Sequence, residues 1–151
     1  MVHRELGPTD MQLGFDRGSA LPLFRGAASK IIVAHLTAAR LKRIYTSNAA
    51  TPDVLAIGPD WPTFSRYFRE CRRKGHYVSR DELERNITGI SAPIFNGDGL
   101  VIGSLTLMFE SQRREFFNAD VFGELVMRYS RDVSGRLAAP LPRENPAPGG
   151  A

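Results

Sequence analysis

The stretch ITGISAPIFNGDGLVIGSLTL, residues 87–107, decides the fold of this chain. Its centre, Asn-Gly-Asp-Gly at 96–99, is rich in residues that tolerate positive φ, and apolar and β-branched runs flank it on both sides. Such runs around such a turn are typical of a β-hairpin. We therefore predict two antiparallel strands paired symmetrically about the turn. The expected pairs are Phe95 with Leu100, Ser91 with Ser104, Gly89 with Thr106 and Ile87 with Met108.

Alternation along the two strands gives the hairpin two different faces. The first is apolar throughout and carries Ile90, Ala92, Ile94, Val101, Gly103, Leu105 and Leu107. The second is uncharged and carries Ile87, Gly89, Ser91, Pro93, Ile102, Ser104, Thr106 and Met108. A solvent-facing surface usually carries Lys, Glu or Arg, so we expect the second face to be covered as well.

Two interpretations of this uncharged face remain open. Small residues and hydroxyls suit the wall of a ligand cavity, where the hydroxyls orient a guest and glycine leaves it space. Alternatively, the face is a second packing surface of a sandwiched sheet, with its hydroxyls bonded to backbone groups.

Composition predicts a single domain without a membrane or export segment. The 151 residues are 42% hydrophobic and 24% charged, with a net charge of +4 and a pI near 9.6. No apolar run reaches the roughly 18 residues of a membrane span, and the start, MVHRELGPTD, lacks the apolar stretch of a secretion signal. Because Cys71 is the single cysteine, no internal disulfide is possible, which favours a cytoplasmic location.

Periodicity predicts the remaining elements. Helices are expected from about Ala27 to Tyr45, over 62–74 with Gly75 as C-cap, and from about Ala119 to Leu137 with Asn118 as N-cap. Short strands are expected at Met11–Phe15 and from His76, and residues 46–62 are expected to form a loop. The last helix should bury a stripe made of Phe122, Leu125, Val126, Tyr129, Val133 and Leu137. The Pro- and Gly-rich tail, residues 139–151, is expected to be disordered.

Two long segments resemble the effector-binding domain of IclR-type bacterial transcription regulators. LPLFRGAASKIIVAHL, residues 21–36, looks like the segment that opens the first helix of that domain. GHYVSRDELERNITGISAPIFNGDGLVIGSLTL, residues 75–107, is similar to its strand, acidic loop and hairpin. The final YSRDVSGRLA, residues 129–138, also fits. The likeness covers roughly residues 10–138 and depends on the order and spacing of the motifs.

The resemblance implies one sensor domain over residues 1–138, with a GAF-like α/β (α+β) fold. That fold is a twisted antiparallel sheet with helices packed on its faces. Effectors in this family lie among the start of the first helix, the loop after the Gly-Tyr strand, and the hairpin. Carried over by motif position, the effector-binding residues are Ala27, Ala28, Ser29, Ser79, Gly89, Thr106 and Met108. Alternation alone adds Ser91 and Ser104.

Departures from the family pattern narrow the expected effector. Ser29 stands where many members have glycine. Relatives that bind small oxoacids can have an acid and a thiol where this chain has Ser79 and Gly89. Together with Met108 and Ile87, this favours an apolar or aromatic effector over a small oxoacid. We predict that the charged loop Ser79–Asn86 changes conformation when an effector binds.

The resemblance also implies partners. Regulators of this type carry a winged helix-turn-helix domain ahead of the sensor, and this chain is expected to begin inside the sensor, as a fragment or a stand-alone relative. We therefore expect a small-molecule effector, a homodimer or homotetramer, and DNA contact only through a winged-helix domain absent from this chain. The strand edge left open would be an association surface.

A GAF-like enzyme is the first alternative. The free methionine sulfoxide reductases of this fold need a cysteine with a resolving partner, whereas Cys71 is single and lies on an apolar helix stripe, as a structural thiol would. We expect His35 to cap a helix or lie at the surface, and no metal site or cofactor is predicted. The acidic residues Asp81, Glu82 and Glu84 are interpreted as solvated loop charges.

A basic nucleic-acid-contacting module is the second alternative. Five basic residues crowd the second helix: Arg66, Arg69, Arg72, Arg73 and Lys74. We interpret them as the solvent face of an amphipathic helix, whose last basic residues are favourable at its carboxyl end.

Overall fold

The computed structural model describes residues 3–5, 14–16, 18–112 and 118–139. Within these ranges the elements follow in the order α1 (Ala27–Ala34), α2 (Ala38–Asn48), α3 (Pro52–Ile57), α4 (Trp61–Lys74), β1 (Tyr77–Arg80), β2 (Ile87–Phe95), β3 (Val101–Glu110) and α5 (Ala119–Ala138). Gly14 and Phe15 lie outside any strand, and residues 11–13 of that predicted strand lie outside the described ranges, as do residues 140–151 of the predicted tail. None of the described helices is long and apolar enough to cross a bilayer.

The three described strands form one antiparallel sheet in the order β1-β2-β3. The first seven residues of β2, the central strand, are all buried. On one face Ile90 and Ala92 pack against Val126 of α5, as the apolar face of the hairpin predicts. On the other face α1 covers the uncharged side, where Ser104 bonds to the carbonyl of Ala28. The predicted fold class is confirmed: an antiparallel sheet lies between helices.

The predicted pairing within the hairpin is wrong, by one residue at Phe95 and by two residues in the other predicted pairs. Ser91 lies opposite Thr106, and Gly89 lies opposite Met108. The loop is longer than a symmetric turn because the side-chain Oδ1 of Asn96 accepts the backbone N–H groups of Asp98 (3.1 Å) and Leu100 (2.9 Å).

An irregularity in the pairing beside this loop adds to the shift. Phe95 pairs with Val101 and Ile94 with Gly103, so the register skips Ile102. A shift of two residues returns each side chain to the same side of the sheet. The predicted faces therefore survive from Gly103 onward although the pairs change.

The helix predicted over residues 27–45 is two helices, α1 and α2, separated at 35–37. His35 is the C-cap residue of α1, and its ring Nδ1 lies 2.9 Å from the carbonyl oxygen of Ile31. Thr37 caps α2, since its hydroxyl accepts the backbone N–H of Arg40 at 3.4 Å. The expectation that His35 caps a helix is confirmed. The predicted helix extends past His35 to Tyr45, which is wrong because α1 ends at Ala34.

Arg72 of α4 fixes the same break from a distance. Its Nε donates to the carbonyl oxygen of Ala34 at 2.7 Å, and its Nη2 donates to that of Leu36 at 2.6 Å. The last carbonyls of a helix have no partner within the helix, and a cation there is favourable. Arg72 is thus a structural residue.

The loop predicted over residues 46–62 contains a helix. Thr51 accepts the N–H of Val54 as N-cap of α3, and Pro52 occupies the first turn of that helix. Both are sequence signals for a helix start. The capping of α4 and α5 agrees with prediction: Gly75 ends α4 with a φ of 74°, and Asn118 caps α5.

The predicted buried stripe of α5 is partly wrong. Tyr129 and Leu137 are 51% and 55% exposed, whereas α5 buries Gly123, Val126 and Ser130. Small residues face the sheet because the backbone and His76 come close to the helix: the Ser130 hydroxyl donates to the carbonyl of Pro93, and a methyl group at Gly123 would lie 2.8 Å from the His76 ring.

His35 is expected to make stability depend on pH. Its ring packs edge-to-face on Phe95, with 5.4 Å between centroids, and burial lowers its pKa, with the charge of Arg72 acting in the same direction. Below the ordinary value of 6.5 the unfolded chain binds more protons than the folded chain, so stability falls as pH decreases from 6.5 towards the lower folded pKa.

Thermal unfolding between pH 7.5 and pH 5 measures this effect. We expect the wild-type Tm to fall with decreasing pH more steeply than that of His35→Gln, with His3→Gln, at an exposed position, as the control. Equal slopes for the wild type and His35→Gln would contradict the assignment.

Cys71 is expected to be unreactive in the folded chain. It is buried on α4, and burial raises the pKa of its thiol to about 11. Since the thiolate is the reactive form, an aromatic disulfide reagent at pH 8 should label the native chain at least tenfold more slowly than the chain unfolded in guanidinium. Equal labelling rates in the two conditions would show that the thiol is accessible.

Candidate functional site

The predicted site residues meet where the amino terminus of α1 lies on the sheet. Gly26 precedes the helix with a φ of 77°, a conformation that glycine adopts without steric cost. The backbone N–H of Ala27 donates to the hydroxyl of Ser79 at 3.1 Å. The carbonyl of Ala28 accepts a bond from the hydroxyl of Ser104 at 3.4 Å. The helix start therefore connects β1 with β3 across the central strand.

Gly89 permits this close approach. A methyl group at Gly89 would lie 3.2 Å from Oγ of Ser79, 3.6 Å from Cβ of Ala27 and 3.8 Å from Cγ2 of Thr106. The first distance is tighter than ordinary contact, so a methyl group would crowd Ser79, and a larger side chain would also meet Ala27 of α1. The space over Gly89 is filled by Ala27 and Ser79.

The hydroxyls of the hairpin are bonded. On the uncharged face, Oγ of Ser91 lies 2.7 Å from Oγ1 of Thr106, and the Ser104 hydroxyl donates to the carbonyl of Ala28. On the opposite face, Oγ1 of Thr88 lies 2.8 Å from Oγ of Ser111. Part of the uncharged face is therefore a packing surface, as the second interpretation of the sequence expects. Most of these bonds join hydroxyls to each other rather than to the backbone.

The nine predicted residues divide by exposure. Buried members are Ala27, Ser79, Gly89 and Ser91. Partly exposed members are Ala28, Ser29, Ser104, Thr106 and Met108. We call the partly exposed set the open flank, because it lies where α1 meets β3. The two cavities described below do not border any of the nine residues.

Sequence reasoning missed a buried charge on the side of α1 that faces β1. Lys30 is only 8% exposed, and its Nζ lies 2.7 Å from Oε2 of Glu82 and 3.1 Å from the hydroxyl of Tyr77. Oε2 of Glu82 also accepts the backbone N–H of Gly26 at 3.0 Å, and Oε1 accepts the Tyr77 hydroxyl at 2.9 Å. The interpretation of Glu82 as a solvated charge is wrong. The available signal was a lysine that interrupts the apolar run of a helix, since a buried lysine needs an anionic partner.

Two phenols complete this cluster. The hydroxyls of Tyr67 and Tyr77 lie 2.6 Å apart, and Nζ of Lys30 lies 5.0 Å from the Tyr77 ring centroid. Burial raises the pKa of both phenols. They therefore stay protonated at neutral pH and act as hydrogen-bond donors.

A cavity of about 310 Å³ opens beside the cluster. Its wall comes from the segment before α1, from α1 itself, from α3 and α4, and from the loop after β1: Phe24, Arg25, Lys30, Asp53, Ala56, Ile57, Tyr67 and Glu82. Nε of Arg25 donates to Oδ1 of Asp53 at 2.8 Å in this wall. Charged and apolar groups thus share one small concave surface.

A second cavity, of about 640 Å³, borders the loop between β1 and β2. Its described lining is Asp81, Arg85, Asn86, Ser111 and Gln112. Asp81 and Asn86 have φ values of 56° and 64°, the left-handed region that few non-glycine residues occupy. Oδ1 of Asp81 accepts the N–H of Asn86 at 2.6 Å, which closes the loop on itself. Asp81 is exposed, as its interpretation as a solvated loop charge expects, and it also makes this bond within the loop.

The basic residues of α4 are mostly at its surface, as predicted. Arg66, Arg69, Arg73 and Lys74 are exposed, and Arg73 pairs with Glu70 at 3.1 Å. With Arg72 bound to the end of α1, the helix presents an ordinary solvated face.

Comparison with known proteins agrees with this fold. A family model described as bacterial transcriptional regulator IclR C-terminal matches residues 1–135. The HTH-type transcriptional repressor AllR of Escherichia coli K12 is 28% identical over 123 residues, which cover 80% of this chain and 44% of that protein. The chain thus spans less than half the length of this curated relative.

Solved structures show the same arrangement of elements. The C-terminal domain of a transcriptional regulator from Vibrio cholerae matches with a TM-score of 0.70 and 28% identity, over 86% of this chain and 75% of that one. The inducer-binding domain of PobR from Acinetobacter, solved as a double mutant in complex with 3-hydroxybenzoic acid, matches with a TM-score of 0.65 and 20% identity, over 89% and 77%. The GAF-like fold implied by the sequence is confirmed, and the chain belongs to the IclR family of bacterial transcriptional regulators, as an effector-binding domain of the C-terminal type.

Proposed function

We propose that this domain senses a small organic acid or aromatic metabolite at the open flank and so controls a regulator's DNA binding. One observation carries the proposal: the amino terminus of α1 packs on a hairpin face that is uncharged and bears hydroxyl groups, and the residues at this contact are partly exposed. The complex of the PobR domain with 3-hydroxybenzoic acid supports an aromatic acid as the class of ligand.

The start of α1 offers donors for a carboxylate. The first N–H groups of a helix lack acceptors within the helix, and Gly26 has no side chain that could cap them. Ser79 takes the N–H of Ala27, which leaves those of Ala28 and Ser29 for a ligand. A negative group is favoured at this end by the helix dipole. The hydroxyls of Ser104 and Thr106 would orient the rest of the molecule.

The lining favours an effector with an apolar body. Among the nine proposed residues there is no charged side chain, and Met108 supplies a polarisable apolar surface. A small, strongly hydrated oxoacid would find hydrogen bonds here but little contact for its body.

Coupling to the rest of a regulator would be a population shift between two arrangements of α1 and the loop after β1. Ser79 lies near the end of β1, next to that loop, and Glu82 of the loop accepts the backbone N–H of Gly26. An effector that moves the helix start would move the loop with it. We propose that the moved surface lies between subunits of a homodimer or homotetramer in the cytoplasm.

The described sheet offers one surface for such association. Among the described strands β1 and β3 are the edges, and β3 also has exposed Ile102 and Leu107 side chains. Unpaired sheet edges readily take another strand. We propose that DNA is read by a winged-helix domain and not by the residues of this sensor domain. Since its relatives are regulators and Cys71 is buried, no enzymatic activity is proposed.

Thr106→Trp is expected to block the open flank. A bulky indole at position 106 should weaken binding of an aromatic acid at least tenfold, about 1.4 kcal/mol, because it would occupy the space at the open flank that we propose for the ligand. Isothermal titration against a panel of aromatic and oxo acids gives the affinity.

Val121→Trp, at an exposed position on α5, is the control and should leave affinity unchanged. Circular dichroism checks that both variants fold. If folded Thr106→Trp binds the same acid as tightly as the wild type, the effector does not bind at the open flank.

A further inference from the structure

We propose that the carboxylate of Glu82 occupies a second anion site, which takes an aromatic monocarboxylate whose ring fills the 310 Å³ cavity. This site lies on the side of α1 that faces β1 and α4. It is separate from the open flank and does not depend on an effector binding there.

Three donors converge on the Glu82 carboxylate. Oε2 receives the backbone N–H of Gly26 and the ammonium of Lys30, at 3.0 Å and 2.7 Å, while Oε1 receives the hydroxyl of Tyr77 at 2.9 Å. The Lys30 donor is charged and buried, and its contact with Glu82 is the shortest of the three, as expected of a charge-assisted hydrogen bond. The donors recognise two carboxylate oxygens and nothing else of the glutamate, so the carboxylate of another molecule fits them equally well.

The cavity next to these donors suits an apolar ring. Phe24, Ala56 and Ile57 give it apolar walls, and Tyr67 adds an aromatic surface. Its volume of about 310 Å³ is at the small end of the range for ligand cavities, which favours a compound with one ring. Lys30 and Glu82 belong to the same wall, so the ring of a bound acid would lie directly beside the anion site.

Glu82 is the member of the cluster that can leave. It stands on the surface loop between β1 and β2 and its side chain is 24% exposed, whereas the Lys30 side chain is 9% exposed and fixed on a helix. A buried ammonium that loses its anionic partner is strongly destabilised. Glu82 can therefore move into solvent only when another anion replaces it, which makes the site selective for acids over neutral compounds.

Benzoate is the probe, with benzamide as its neutral isostere, in isothermal titrations of the full 151-residue chain. We expect benzoate to bind and benzamide not to bind. Glu82→Gln removes the competing charge and should raise the affinity for benzoate at least tenfold, whereas Lys30→Met should lower it at least tenfold. A general loss of structure would lower the affinity in both variants, whereas displacement of Glu82 predicts a rise in Glu82→Gln and a fall in Lys30→Met.

Two further variants locate the site. Ala56→Trp fills the cavity from an exposed position on α3 and should abolish benzoate binding. This variant tests the site independently of Lys30→Met, which removes a buried charge and can prevent folding. Ala39→Trp, exposed on α2, is its control and should bind normally. Thr106→Trp blocks only the open flank, so it should retain the benzoate site that Ala56→Trp removes. Benzoate bound at the open flank would appear as a separate site that Thr106→Trp removes and Ala56→Trp leaves, so failure at the open flank and failure here are distinguishable.

Three results would overturn the proposal. The first is the absence of benzoate binding to both the wild type and Glu82→Gln at about 10 mM ligand, which would leave a purely structural ion pair. The second is that Thr106→Trp abolishes all benzoate binding while Ala56→Trp abolishes none of it. The third is an affinity that does not change in folded Lys30→Met.

Discussion

The amino terminus of α1 is held on the sheet by side chains of β1 and the loop that follows it, and the rest of the structure depends on that contact. Ser79 binds the N–H of Ala27, and Glu82 binds the N–H of Gly26 together with the ammonium of Lys30. The contact requires glycine at position 89, because a methyl group there would crowd Ser79. The uncharged face of the hairpin is thereby explained: it is where a helix start, rather than water, meets the strands.

The start of α1 is bonded to β1 on one side and to β3 on the other. A change on either side would therefore alter the helix start. The open flank offers neutral hydroxyls and free N–H groups, while the other side offers a buried cation and an internal carboxylate. If ligands bind on either side as we propose, they would change the hydrogen bonds of the same few backbone groups. This is the physical requirement for a sensor with two arrangements of similar free energy. An acid that displaced Glu82 would release Gly26 and so alter the start of the helix that carries Ala28 and Ser29.

Local sequence signals predicted much of this fold. Asn118 and Gly75 marked helix ends correctly, and alternation assigned the hairpin faces even though the register was two residues off. The errors come from partners distant in sequence or from local bonds without a periodic signature. Arg72 helps to end α1 from 38 residues away, and Lys30 neutralises Glu82 from 52 away. The side chain of Asn96 set the loop length, which no periodicity reveals. Within the candidate site, alternation predicted the uncharged face of the hairpin. The charged cavity could not be predicted, because its residues come together only in the folded chain.

Amide hydrogen exchange measures the central claim directly. The claim is that ligands act at the start of α1 and at the loop that holds it. An organic acid that binds the chain should change the exchange rates of the N–H groups at residues 26–29 and in the loop at 81–86, and should leave those of α2 unchanged. Saturating ligand with unaltered exchange at residues 26–29, and protection confined to other elements, would contradict the account.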